Sequence, residues 1–165
     1  MDQLWAPWRL AYVAAARPPG ADEGCFICQA LAEHDDRRNL IALRAPHSVV
    51  VLNRFPYNNG HLLIAPLAHK GRLADLDATE LLETMQTMNR MVAVLDELMH
   101  PEGYNIGLNL GKAAGAGLPG HLHWHVVPRW NGDTNFMPIL SDTKVIVQAL
   151  ETLYDLLVDR LKRTG

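Results

Sequence analysis

Residues 121–129 read His-Leu-His-Trp-His-Val-Val-Pro-Arg, and this stretch carries the strongest structural signal in the chain. Its histidines alternate with apolar residues, and in an extended strand residues two apart point to the same side. We therefore expect His121, His123 and His125 on one face of a strand, whereas a helix would scatter them by about 200° per two positions. Because each buried imidazole needs a hydrogen-bond partner, three in register indicate a functional site rather than an ordinary core.

Two chemistries fit a strand lined by histidines. The imidazoles could ligate a metal ion that activates water, or one of them could attack phosphorus as a nucleophile. The preceding residues 111–120 are rich in glycine, so the backbone can approach a ligand closely and offer N–H groups to phosphate oxygens. A metal hydrolase would also be expected to supply carboxylates, and residues 104–111 and 121–127 contain none. The pattern therefore favours nucleophilic chemistry on a phosphate.

The only two cysteines, Cys25 and Cys28, lie three positions apart. In an intracellular chain such a pair is a redox dithiol, half of a zinc site, or two small buried residues at the start of a helix. A loop-like run of Pro, Gly, Asp and Glu precedes the pair instead of a strand, which disfavours the redox interpretation. The zinc interpretation needs two further ligands, expected to be histidines distant in sequence. The pair alone leaves zinc and simple burial open.

Length and composition describe an ordinary globular chain. A length of 165 residues fits one domain, 1–165, which begins with an irregular arm, 1–24. The 48% hydrophobic and 20% charged residues exclude a disordered chain. No apolar run is long enough for a membrane span, and the arm lacks the apolar stretch of a signal peptide, so we expect a cytoplasmic protein with no membrane partner. A net charge of −3 argues against a nucleic-acid partner.

Hydrophobic periodicity predicts strands and helices along most of the chain. Apolar runs and alternating patterns predict strands at 40–43, 48–52, 61–65, 104–110 and 121–127. Helices are predicted at 26–33, 77–100 and 145–161. Asp77 is the expected N-cap of the longest helix, with Glu80 completing an approximate capping box. The apolar stripe of that helix is predicted to contain Leu81, Met85, Met88, Val92, Leu95 and Met99.

The alternating histidines resemble the signature of the histidine triad (HIT) superfamily of nucleotide hydrolases and transferases. The segment from Asn53 to His61, followed by Leu-Leu-Ile-Ala-Pro, resembles the nucleoside-binding strand pair of that family. Residues 109–111 and 114–115 resemble the approach to its phosphate loop. Within the superfamily the chain is most similar to bacterial diadenosine tetraphosphate phosphorylases, through residues 5–9, 24–28 and 125–136.

The resemblance implies an architecture and a metal. The expected fold class is α+β, with an antiparallel sheet of about five strands, one long helix and a C-terminal helix. Two protomers would join into one larger sheet, so we expect a homodimer. Structural Zn²⁺ is also implied, and because four protein ligands leave no open position for water it would not be catalytic. The implied ligands are Cys25, Cys28, His69 and His121.

The resemblance also assigns roles in catalysis. His123 would attack the α-phosphate of an adenine nucleotide and become a transient nucleotidyl-histidine, while His125 handles the charge of the leaving group. Asn53 would bind the ribose, although a turn-forming role fits it as well. Phosphate oxygens would be held by Asn109 and by the N–H groups of Gly115, Ala116 and Gly117. Packing or capping roles are predicted for His47 and His61.

One departure from the family pattern bears on the reaction. Many family hydrolases carry Gln four residues before the first triad histidine, where this chain has Gly117. Room beside the intermediate could admit inorganic phosphate, so we predict phosphorolysis of diadenosine tetraphosphate to ADP and ATP. Arg129 is the nearest candidate cation for the phosphate, and Trp130 is a candidate for adenine stacking, an interface or loop packing. Three alternatives stay open, namely a HIT hydrolase of dinucleoside polyphosphates or phosphoramidates, a His-ligated metal hydrolase and a non-catalytic nucleotide-binding module.

Overall fold

A computed structural model describes residues 24–134 and 145–163. The described part contains three α-helices, α1 (Phe26–Glu33), α2 (Ala78–Met99) and α3 (Leu150–Arg163). Five strands accompany them, β1 (Ile41–Arg44), β2 (Ser48–Leu52), β3 (Leu62–Pro66), β4 (Gly103–Leu108) and β5 (Trp124–Arg129). The predicted N-terminal arm and most of the irregular stretch after Trp130 lie outside the described residues.

The strands form one antiparallel sheet in the order β1-β2-β3-β5-β4, which confirms the predicted α+β class. The histidine-bearing strand β5 is inserted between β3 and β4, where His125 lies opposite Leu63 on one side and Gly107 on the other. Strands β2 and β3 are buried along their whole length, as their continuous apolar runs require. Helix α2 packs on β2, β3 and β5, and α3 packs on β1 and α2.

Helix α2 buries a face that only partly matches the predicted stripe, because Met88 and Leu95 are buried and Val92 and Met99 pack against the core. Leu81 and Met85 are exposed, at 42% and 37%. Polar residues occupy the buried face because each has a partner, and hydrogen-bonded polar groups are tolerated in a core. Thr84 donates to the carbonyl of Glu80, and Ser48 donates to the Thr87 hydroxyl at 3.0 Å. The buried face consists of Glu80, Thr84, Thr87, Met88, Met91, Val94 and Leu95.

Two predicted boundaries and the predicted burial of one strand differ from the structure. Strand β5 begins at Trp124 rather than at residue 121, because the backbone before it leaves the ladder and Leu122 N–H donates to Lys70 O. Helix α3 begins at Leu150 rather than 145, since the preceding Val-Ile-Val run is β-branched and disfavours helix. Strand β4, predicted to be half-buried, is an edge strand that leaves Ile106 48% exposed.

None of the described helices is both long enough and apolar enough to cross a membrane. The cytoplasmic location stays a prediction of the sequence.

Candidate active site

His123 directly precedes β5, in a segment without regular secondary structure, and is almost fully buried. Its Nδ1 lies 2.8 Å from the carbonyl oxygen of His121. A carbonyl only accepts, so Nδ1 carries a proton and the neutral ring has its lone pair on Nε2. This is the arrangement that a nucleophilic imidazole requires, and the backbone itself imposes it.

His125 contacts a fourth histidine that the triad pattern did not include. Its Nδ1 lies 2.9 Å from Nε2 of His61, which is 2% exposed at the start of β3. His61 was predicted to pack or cap, whereas the structure brings it into the histidine cluster. No local pattern could have shown this, because the contact arises from the pairing of β3 with β5. The rings of His123 and His125 lie 5.2 Å apart, edge to face.

Asn53, the predicted ribose ligand, lies beside His61 at the end of β2. Its Oδ1 accepts from Phe55 N–H at 2.9 Å, and its Nδ2 lies 3.2 Å from His61 Nδ1. The backbone donor therefore fixes which way the amide points. Both the turn-forming role and proximity to the histidines are present, while ribose binding stays a prediction.

The glycine-rich loop connects β4 to the histidines through a short 3₁₀ turn, Lys112–Ala114. Asn109 directly follows Leu108, which pairs with Trp124 in the last register pair of β4 and β5, so Asn109 lies just beyond that end of the ladder. Gly115 has a positive φ of 86°, a conformation that favours glycine. The N–H groups of Gly115 and Ala116 donate to carbonyl oxygens within the loop. Phosphate contacts through these two groups would therefore need the loop to open those bonds.

Arg129 and Trp130 are engaged away from the histidines. Arg129 forms an ion pair with Asp133 and also donates to Asn105. Trp130 Nε1 donates to the carbonyl oxygens of Met99 and His100 at the end of α2. The proposal of Arg129 as the phosphate cation is therefore not supported, and Trp130 matches the loop-packing alternative.

The four predicted metal ligands converge from three parts of the chain. The ligand atoms of Cys25, Cys28, His69 and His121 all lie within 4.8 Å of one another. Cys25 Sγ lies 3.1 Å from His121 Nδ1, and Cys28 Sγ lies 3.4 Å from His69 Nδ1. Two thiols and two imidazoles at such distances are a donor set that fits tetrahedral Zn²⁺.

The protonation pattern of this cluster suits a metal. His121 Nε2 donates to Pro66 O at 2.8 Å, which leaves the lone pair of Nδ1 facing the thiols. In metal sites a ligating histidine commonly donates its other ring N–H to a backbone carbonyl in this way. Burial lowers the pKa of His121, so the ring is neutral, as a ligand must be. Burial and the neighbouring Cys25 raise the pKa of Cys28 to about 11. A cation between the thiols would oppose that effect and favour thiolate.

The HIT domain family matches residues 36–132. A Mycobacterium tuberculosis protein named AP-4-A phosphorylase is 38% identical over 168 residues, covering 99% of this chain and 86% of the relative. A Schizosaccharomyces pombe protein named bis(5′-nucleosyl)-tetraphosphatase (asymmetrical) is 31% identical over 90 residues, covering 54% of this chain and 49% of the relative.

The fold has solved counterparts among histidine triad proteins. A zinc-bound histidine triad family protein from Mycobacterium smegmatis superposes with a TM-score of 0.69 at 26% identity. The match covers 86% of this chain and 95% of that chain.

Proposed function

The chain belongs to the HIT domain family and is a nucleotide-processing enzyme, and on that premise we propose that it transfers a nucleotidyl group through His123. The observation that carries the proposal is the hydrogen bond from His123 Nδ1 to the His121 carbonyl, which leaves Nε2 as the free nucleophile. The proposed substrate is diadenosine tetraphosphate, because a relative covered over most of its length is named AP-4-A phosphorylase. The proposed catalytic pair is His123 with His125.

The reaction would have two steps. In the first, His123 Nε2 attacks the α-phosphorus, the bond to the bridging oxygen breaks, and ATP leaves as adenylyl-histidine forms. In the second, an oxygen of inorganic phosphate attacks the same phosphorus, and ADP forms as His123 is released. His125 lies beside His123 and would neutralise charge on the leaving oxygen. Asn53, Asn109 and residues 115–117 are the proposed binding groups.

Phosphorolysis requires specific binding of phosphate, since water is far more concentrated. Gly117 carries no side chain at the position where many family hydrolases carry Gln, and the proposal is that phosphate enters there. Because Arg129 is paired with Asp133, the phosphate would be held mainly by Asn109 and by neutral N–H groups of the loop. Those of Gly115 and Ala116 would first have to leave their hydrogen bonds within the loop. Hydrolysis to AMP and ATP is the second candidate, and the tetraphosphatase name of the Schizosaccharomyces pombe relative supports it.

We further propose that Cys25, Cys28, His69 and His121 hold structural Zn²⁺. All four coordination positions would be filled by protein, so the ion would fix structure rather than activate water. His121 would connect the two sites, because its ring faces the thiols while its carbonyl orients His123. The proposed assembly is a homodimer joined at the exposed edge strand β4, for which a solution mass near twice 18.4 kDa is the check.

Product analysis tests the reaction. Wild-type protein is incubated with diadenosine tetraphosphate, with and without inorganic phosphate, and the nucleotides are separated. We expect ADP and ATP only when phosphate is present, and loss of at least about 10³-fold in rate for His123→Ala, with His47→Ala as the exposed-histidine control. Gly117→Gln should shift the products towards AMP.

Two results would contradict parts of this proposal. Formation of AMP and ATP at a rate independent of phosphate would identify a hydrolase and retain the His123 chemistry. Full activity of His123→Ala would reject the nucleotidyl-histidine route itself.

A further inference from the structure

Tyr57 covers two of the clustered histidines from the turn between β2 and β3. Its ring stacks on His61 with centroids 4.7 Å apart and planes 27° apart. The same ring stacks on His125 at 5.7 Å and 22°. One side chain thus contacts both imidazoles of the pair, and Tyr57 itself is half-buried.

The backbone of Tyr57 and the side-chain amide of Asn53 together determine where a proton lies on each ring. The Tyr57 N–H donates to His61 Nδ1 at 3.0 Å, so that nitrogen must be an acceptor. Neutral His61 then carries its proton on Nε2 and donates it to His125 Nδ1 at 2.9 Å. His125 Nδ1 is therefore also an acceptor, and neutral His125 carries its proton on Nε2.

We propose that Tyr57 is a positioning residue that holds His125 in the Nε2–H tautomer and in its catalytic orientation. The backbone N–H of Tyr57 and the Asn53 amide hold His61 Nδ1 as an acceptor. The stacked Tyr57 ring keeps both imidazoles in the planes that the His61–His125 hydrogen bond needs. A rotated His61 would no longer align Nε2 with His125, and the tautomer preference of His125 would be lost. The consequence for rate rests on the proposed function, whereas the consequence for the tautomer does not.

The geometry predicts which part of the side chain matters. Stacking uses the ring faces, so Tyr57→Phe should preserve the arrangement, while Tyr57→Leu should remove the stack and keep the backbone donor. Tyr104→Leu is the matched control, because Tyr104 is also a half-buried tyrosine. Tyr104 lies on β4 and pairs with Pro128 on β5, three register positions from the Gly107–His125 pair. Its hydroxyl donates to Asp96.

The experiment combines spectroscopy of the resting protein with kinetics. Imidazole ¹⁵N NMR distinguishes Nδ1–H from Nε2–H tautomers, and thermal unfolding shows that each variant is folded. For the wild type, Tyr57→Phe and Tyr104→Leu we expect His125 in the Nε2–H form. For Tyr57→Leu we expect a tautomer mixture and a fall of about 10-fold in kcat with KM changed less than about 2-fold. Tyr57→Met replaces the leucine variant if the latter does not fold.

The readouts separate this inference from the proposed function. A His125 tautomer unchanged in Tyr57→Leu would overturn the inference, even if diadenosine tetraphosphate is cleaved normally by the wild type. A tautomer shift in a protein that turns over no adenylated nucleotide would support the positioning role while rejecting the proposed reaction. An equal loss in Tyr57→Phe and Tyr57→Leu would also overturn it, because the hydroxyl would then be the important group.

Discussion

Among single residues, Gly60 shows how tightly the turn before β3 is constrained. Its φ is +79°, and an added Cβ would lie 2.9 Å from both Met99 Sδ and Pro128 Cγ. His61 follows directly, so this glycine sets the path by which the fourth histidine enters the cluster. A side chain here is disfavoured both by backbone conformation and by space.

Gly60→Ala is expected to lower the free energy of unfolding by about 2–3 kcal/mol, through the left-handed backbone and the crowding together. Urea denaturation followed by circular dichroism measures the change. Gly103→Ala is the control, because a methyl group added there would meet no atom within 4 Å and its φ is outside the left-handed region. Equal stabilities for the two variants would show that the turn adapts to the extra carbon.

Among the helices and strands, α2 is capped at both ends by side chains. At its start Asp77 accepts from Glu80 N–H, and Glu80 accepts from Asp77 N–H, both at 2.9 Å. Lys70 reaches the same Glu80 oxygen at 2.6 Å, which links the loop beside His69 to the helix. At its end Trp130 donates to two carbonyl oxygens that the helix leaves unpaired.

The capping box predicts acid sensitivity. Lys70 and the Asp77 backbone lower the pKa of Glu80, and the Glu80 backbone N–H lowers the pKa of Asp77. A carboxyl whose pKa is lowered by folding stabilises the protein at pH above its unfolded pKa, which is about 4.3 for Glu and 3.9 for Asp. That stability is lost as the pH falls through the pKa of the folded state. The stability difference between wild type and Glu80→Gln should therefore shrink between about pH 6 and pH 3.

Urea midpoints taken at half-unit pH steps measure this difference. Glu151→Gln, at an exposed carboxyl in the first turn of α3, is the control, and its curve should follow the wild type. A wild-type advantage over Glu80→Gln that stays constant down to about pH 3 would show that ionised Glu80 adds nothing to α2.

Across the whole molecule, the Cys/His cluster joins segments that are far apart in sequence. Cys25 precedes α1, His69 follows β3 and His121 precedes β5, and the Cys25–His121 contact spans 96 positions. A metal bound there would tie α1 to both the sheet and the nucleophile segment. A metal that binds only the folded state raises the free energy of unfolding in proportion to the logarithm of the ratio of metal concentration to Kd.

Removal of zinc should therefore lower the melting temperature. If zinc is present at about 1,000 times its Kd, its loss costs about 4 kcal/mol, or roughly 8–16 °C in a chain of this size. Differential scanning calorimetry with and without chelator, under reducing conditions, measures the shift. The Cys28→Ser variant should have a lowered melting temperature both with and without chelator. Purified protein that contains no zinc, or a melting point unmoved by chelator, would reject the metal proposal.

Much of the fold could be predicted because its signals are local. The capping box at Asp77 and Glu80, and the continuous apolar runs of β2 and β3, depend on neighbours within a few positions. The predicted stripe of α2 was wrong at Leu81 and Met85, which are exposed. It also lacked Thr84 and Thr87, which are buried because their hydroxyls have hydrogen-bond partners, one of which, Ser48, is distant in sequence. Burial of such residues depends on contacts that periodicity does not contain.

Strand alternation, the glycine positions and the spacing of the cysteines are properties of the chain alone, because steric preference and side-chain alternation act over a few residues. Folding in three dimensions was needed to bring His61 to His125, to gather four distant ligands into one cluster and to pair Arg129 with Asp133. These contacts follow from strand order and register, which bring residues together regardless of their separation along the chain.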